Sequence, residues 1–127
     1  MQLIYSILTT ILLSVNISGG LPYAKIEQAF EANSAKSIVA MGKSKMLVNV
    51  LGTEGAYSPS QATLILKDFF SKNPGKDFEF VFKGKESGDG TFAIGNYLSN
   101  GSKFRITIHL QKLSDNYQIE RLSIERD

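Results

Sequence analysis

The chain has 127 residues, with 14 Lys/Arg against 12 Asp/Glu, one His, no Cys and a formal net charge of +2. So even a balance gives no concentrated basic face for nucleic acid, and the missing thiols exclude a disulfide framework. Hydrophobic residues at 43% and charged ones at 20% exclude bulk disorder and describe ordinary globular material.

Charge begins only at Lys25, and the apolar stretch from Leu3 to Ile17 runs into Ser18-Gly19-Gly20. An apolar stretch of roughly 7–15 residues closed by small side chains has the form of a secretory leader. The expected division is a signal peptide over 1–20 and one domain over 21–127, exported to the periplasm or secreted. The apolar run falls short of the ~20 residues that cross a bilayer, so no stable membrane span is expected after cleavage.

Pro22 opens a first helix in which Ile26, Ala29 and Phe30 share one stripe. A short second helix is expected from Ala35 to Met41, capped by Gly42. Met46, Leu47, Val48, Val50 and Leu51 predict a largely buried strand. Gly52 to Gly55 reads as a turn, and Ala56-Tyr57 as the start of a return strand. Ser58, Pro59 and Gln61 then form a helix start with a capping box. Ala62, Ile65, Leu66, Phe69 and Phe70 mark its apolar face, and Asn73-Pro74-Gly75 ends it.

Everything after Asp77 reads as strand. Phe78, Phe80 and Phe82 alternate with Glu79, Val81 and Lys83, Gly88-Asp89-Gly90 turns the chain into Thr91–Leu98, and Asn100-Gly101 predicts a tight primed hairpin. Phe104, Ile106, Ile108 and Leu110 alternate with Arg105, Thr107, His109 and Gln111, the cleanest alternation in the chain. Asp115-Asn116 is the last turn. In the closing strand, Ile119 is followed by Leu122 and Ile124, a break in the period of two that predicts a bulge at Glu120-Arg121. The order α-α-β-β-α-β-β-β-β implies an α+β domain, a mainly antiparallel sheet with three helices on one face.

Two stretches carry a family resemblance. One is Tyr57-Ser58-Pro59-Ser60-Gln61-Ala62, continuing through Leu66-Lys67-Asp68-Phe69-Phe70 to Pro74. The other is Phe92-Ala93-Ile94-Gly95 with Asn100-Gly101, Phe104-Arg105 and the ending Leu122-Ser123-Ile124-Glu125. Together they resemble an uncharacterised family of small exported Bacteroidetes proteins, a domain of unknown function. The resemblance implies the nuclear-transport-factor-two-like (SnoaL-like) cone, a strongly curved sheet wrapped around helices and often enclosing a pocket. It implies no catalytic residue, and the superfamily holds isomerases and dehydratases beside non-catalytic binding subunits.

Candidate chemistry is sparse. His109 is the only imidazole, and parity places it away from the helices, on an outer sheet face with Tyr97, Arg105, Thr107 and Gln111. A mixed aromatic, arginine and polar surface suits a protein partner or a second copy of the chain. One His and no Cys make a zinc site untenable. Glu86 to Gly90 lacks calcium-loop spacing, and Gly42-Lys43-Ser44 lacks the upstream glycine and the following helix of a phosphate-binding loop. Ser58 and Ser60 are explained by helix capping. No cofactor is called for. The aromatic excess, with Phe30, Asn49, Tyr57, Phe69, Phe80 and Phe92 as candidate lining, is consistent with core filling or with a small apolar ligand between sheet and helices. The leading expectation is a non-enzymatic exported binding module. The alternative is a small SnoaL-like enzyme doing isomerase- or dehydratase-type acid–base chemistry in the cone.

Overall fold

The computed structural model describes residues 20–127, so the expected leader lies, up to residue 19, outside the described residues. Three helices and six strands follow in the expected order: α1 (Tyr23–Glu31), α2 (Ala35–Ala40), β1 (Gly42–Val50), β2 (Thr53–Tyr57), α3 (Pro59–Lys72), β3 (Asp77–Lys83), β4 (Gly90–Ser99), β5 (Ser102–Leu113) and β6 (Asn116–Arg126). Local chemistry sets these boundaries. The Ser58 hydroxyl accepts from the Gln61 amide while the Gln61 side chain accepts from the Ser58 amide, and Pro59 follows at the first helical turn. Ser34 caps α2 in the same way through the Ser37 amide. Gly42 does not cap that helix; Met41 does, and Gly42 opens β1, where a Cβ would strike the Met46 side chain.

The strands form one sheet in the order β2-β1-β6-β5-β4-β3. Every pairing is antiparallel except β1 with β6, because the β3–β6 meander returns beside the first strand after the α3 crossover. Asn100 and Gly101 both take positive φ, 46° and 85°, as the primed β4–β5 hairpin demands. The bulge expected in the last strand is present: Leu110 pairs with Ile119 and His109 with Arg121, which leaves Glu120 as the extra residue. A second irregularity lies in β3, between Phe80 and Phe82. Bulges of this kind bend a strand and re-aim the side chains beyond them.

All three helices pack on one face of the sheet. Ile26 and Phe30 of α1, Ile38 of α2 and Ala62, Leu66 and Phe69 of α3 meet Met46, Val48, Phe104, Ile106, Ile108, Leu110, Ile119, Leu122 and Ile124. Burying each large aliphatic side chain among these is worth about 1.5–3 kcal/mol. Aromatic rings fill one end of this space. Phe30 stacks on Phe78 with centroids 4.8 Å apart, and Phe69 meets Phe104 edge-on at 5.1 Å. Among the described residues, the opposite face of the sheet carries no helix.

Candidate functional site

The uncovered face is built by strand parity. On β5, Arg105, Thr107, His109 and Gln111 point away from the helices, as expected, because Phe104, Ile106, Ile108 and Leu110 are drawn into the core. Cross-strand pairing places Phe92 of β4 and Arg121 of β6 on either side of His109, and Leu47 of β1 beyond Arg121. The imidazole stacks on the Phe92 ring at 5.5 Å and 22°, and Phe92 touches Phe82 at 5.4 Å. Leu47, Phe82 and Phe92 are 36%, 47% and 37% exposed. An aromatic ladder thus lies open to solvent in the middle of the face.

The two guanidiniums beside this ladder are paired within the chain. The Arg121 guanidinium donates to the Glu54 carboxylate, and Arg105 reaches Asp127 at 3.2 Å. Lys43 Nζ donates to Gln111 Oε1 at 2.6 Å. Among the described residues, no group of three or more His, Asp or Glu converges as a metal-ligand set.

Three residues lie on the face opposite to expectation: Asn49 on β1, which alternates outward between the core-facing Val48 and Val50, and two on β4. Tyr97, expected outside, is fully buried, and Phe92, expected to line the pocket, lies on the outer face. Tyr97 pairs with Phe104, so both enter the core, and in a strand with period two that sends Phe92 outward. Gly95 makes room on the inner side: a Cβ there would lie 2.4 Å from the Phe78 ring. The Tyr97 hydroxyl donates to the Asn73 carbonyl at 2.7 Å and accepts from Asn33 Nδ2 at 3.0 Å. Burial raises its pKa above the ordinary 10.0, only partly offset by the bonds from Asn33 and Gly75.

The remaining candidates for the pocket do not converge on one cavity. Phe30 and Phe69 belong to the buried aromatic cluster, while Phe80 is half-buried on the edge strand β3. Tyr57 is half-buried at the end of β2, beneath Gly55. Asn49 belongs to the β1–β2 hairpin, where its carbonyl oxygen accepts from the Gly52 amide.

Sequence reasoning missed a second polar group at the end of the sheet where β3 meets β4. Tyr117 donates to Glu86 Oε1 at 2.5 Å, and Tyr23, at the start of α1, presents its hydroxyl to the same region. Each of these residues is alone in its sequence segment, so only the fold brings them together. The Tyr117 pKa is raised by its bond to the Glu86 carboxylate and then by burial; that of Tyr23 is raised by burial, partly offset by a hydrogen bond with the Thr91 side chain, and raised further by the Glu86 charge. Both phenols therefore keep their protons throughout the neutral range.

Among curated proteins, none matches this sequence. The fold is shared with solved structures. A DUF4783 family protein from Bacteroides ovatus is 24% identical with a TM-score of 0.76, over 82% of this chain and 94% of that one. An NTF2-like protein of unknown function from Shewanella baltica matches at 9% identity and TM-score 0.64, over 83% of this chain and 87% of its own. A ketosteroid isomerase-like protein from Erwinia carotovora atroseptica matches at 14% identity and TM-score 0.64, over 82% and 89%. Residues 23–125 match the family described as "Domain of unknown function (DUF4783)", and the chain belongs to that family.

Proposed function

We propose that this chain is a non-enzymatic exported interaction module that pairs with a second copy of itself through the uncovered face of the sheet. The observation that carries the reading is the open ladder of Phe82, Phe92 and His109, set among guanidiniums that already have carboxylate partners. A large aromatic cluster surrounded by polar groups is the usual make-up of an interface centre and rim. Because Arg121 and Arg105 each have a carboxylate partner within the chain, they add little net charge to the patch, and two copies brought face to face meet little repulsion between their guanidiniums.

A non-catalytic role is favoured by where the titratable groups lie. The single imidazole is on the outer face, stacked on a phenylalanine, and the rings of Phe30, Phe69, Phe78 and Phe104 occupy one end of the space between helices and sheet. General acid–base chemistry needs an oriented pair in a shielded cleft, whereas His109 is exposed and, among the described residues, has no carboxylate bonded to it.

Size-exclusion chromatography with light scattering on the purified protein tests the pairing. The mass should be that of two copies at high concentration, and Phe92→Lys should return it to one. A single copy at every concentration overturns the reading, as does a Phe92→Lys variant that still pairs.

A further inference from the structure

The chain's one imidazole stands in the middle of the uncovered face, among residues from four strands. His109 is exposed in the single copy and stacks on Phe92 of β4 at 5.5 Å. The other β4 residues on this face, Gly90 and Ile94, pair with Gln111 and Thr107 and carry no charge. Across from His109 on β6 lies Arg121, held by Glu54 of β2, and Glu120 adds a carboxylate at the bulge beside it. Along β5, Gln111 accepts from the Lys43 ammonium of β1, and Arg105 is paired with Asp127. Lys45 of β1 is exposed and alternates outward with the core-facing Met46.

In the single copy water reaches this ring, so a proton on it costs little. Its stacking on Phe92 exists before and after association and cancels from the balance. Pairing changes two other things. Covering Phe92 and His109 takes water from the imidazole, and burial disfavours the charged form of a base. A contact between identical patches also brings the same residues together from both sides. One copy's imidazolium then approaches Lys43, Arg121 and His109 of the other as like charges. Glu120 contributes one negative charge per copy and Lys43 one positive. The added proton therefore leaves each patch with a net positive charge.

We infer that acid switches pairing through the sheet face: two copies associate while His109 is neutral and separate when it takes a proton. The inference rests on the pairing proposed above and adds its control. Histidine side chains change charge between about pH 5 and 8. By linkage, a pair that holds fewer protons than two single copies is favoured at the upper end of that range and weakens as pH falls through it. With one proton excluded per copy, the dissociation constant rises by at most about a hundredfold per pH unit.

Sedimentation equilibrium of the purified protein at about pH 8 and pH 5 tests the switch. The dissociation constant should be at least about tenfold weaker at the lower pH, with unchanged circular dichroism showing that the copies separate without unfolding. His109→Gln keeps a polar side chain that takes no proton. It should pair at the higher pH and change less than about threefold at the lower one. Glu120→Gln should retain the fall, which separates the imidazole from the neighbouring carboxylate. A reading that needs no variant comes from the single imidazole Cε1–H resonance, whose titration midpoint should lie at lower pH in concentrated than in dilute protein. Pairing of equal strength at both pH values overturns the switch and leaves the pairing itself standing, whereas a single copy at both overturns the two together. The switch also fails if the parent unfolds at the lower pH, if His109→Gln shows the parent's fall, if Glu120→Gln abolishes it, or if the midpoint does not move with concentration.

Discussion

The Tyr97 hydroxyl joins three segments that are far apart in sequence. It donates to Asn73 at the end of α3 and accepts from Asn33 in the α1–α2 corner, while its ring lies in the aromatic cluster under β4. Asn33 holds this corner in the left-handed region at φ 53°, where an Asn is tolerated better than most residues, and its oxygen also accepts from the Gly75 amide. Tyr97→Phe keeps the ring and removes the joint, leaving a carbonyl and an amide without their partner. A loss of about 1–3 kcal/mol is expected, read as a lower urea midpoint with an unchanged slope. The same residue shapes the alkaline limb. Its folded-state pKa lies above the unfolded 10.0, as do those of Tyr23 and Tyr117. Below pH 10 both states hold these protons and the contribution is constant. Above it the unfolded chain ionises first, so stability falls as pH rises through the folded values. Tyr97→Phe should make that fall less steep, with circular dichroism and phenolate absorbance changing together in the parent protein.

At the scale of the elements, β4 shows where reading a strand from sequence succeeds and where it fails. Its neighbour β5 alternates large apolar and polar residues without interruption, so its two faces are plain in the sequence. The Ser-Pro-x-Gln start of α3 and the Asn-Gly hairpin are local chemistry and equally legible. In β4 the run Phe92-Ala93-Ile94-Gly95 puts its bulky residues on the outer face and its small ones inside, the reverse of the usual pattern. The reason is non-local. Phe78 comes across from β3 and fills the inner space over Gly95, so the strand beneath must be small there. Gly95→Ala would put a methyl group within 2.4 Å of the Phe78 ring. Displacing a packed ring typically costs about 1–3 kcal/mol. Thermal unfolding of Gly95→Ala should show such a loss, and Gly95→Ala combined with Phe78→Leu should recover part of it. The Tyr117–Glu86 bond was illegible for a related reason, because it joins the start of β6 to a loop 31 residues earlier.

For the molecule as a whole, the two faces of the sheet divide the work between folding and association. One is closed by three helices; the other is proposed to be closed by a second copy, and salt tells what kind of closure that is. Surface charges are screened over about 10 Å at 0.1 M salt, so a contact made by exchanging charges between copies weakens steeply as salt is added. Here the central residues are aromatic, and the guanidiniums of Arg121 and Arg105 are paired to Glu54 and Asp127 of their own chain. Those ion pairs are part-exposed, so at the rim of a paired face they would keep contact with water and avoid the heavy penalty of a dry interface. Salt then acts mainly on pairs that exist in the single copy as well, and its effect cancels from the association equilibrium. Sedimentation equilibrium at about 0.05 and 0.5 M NaCl should give dissociation constants within about threefold of each other. A weakening of tenfold or more would mean that an arginine trades its own carboxylate for one across the interface, and the aromatic ladder would then no longer be the main source of the affinity.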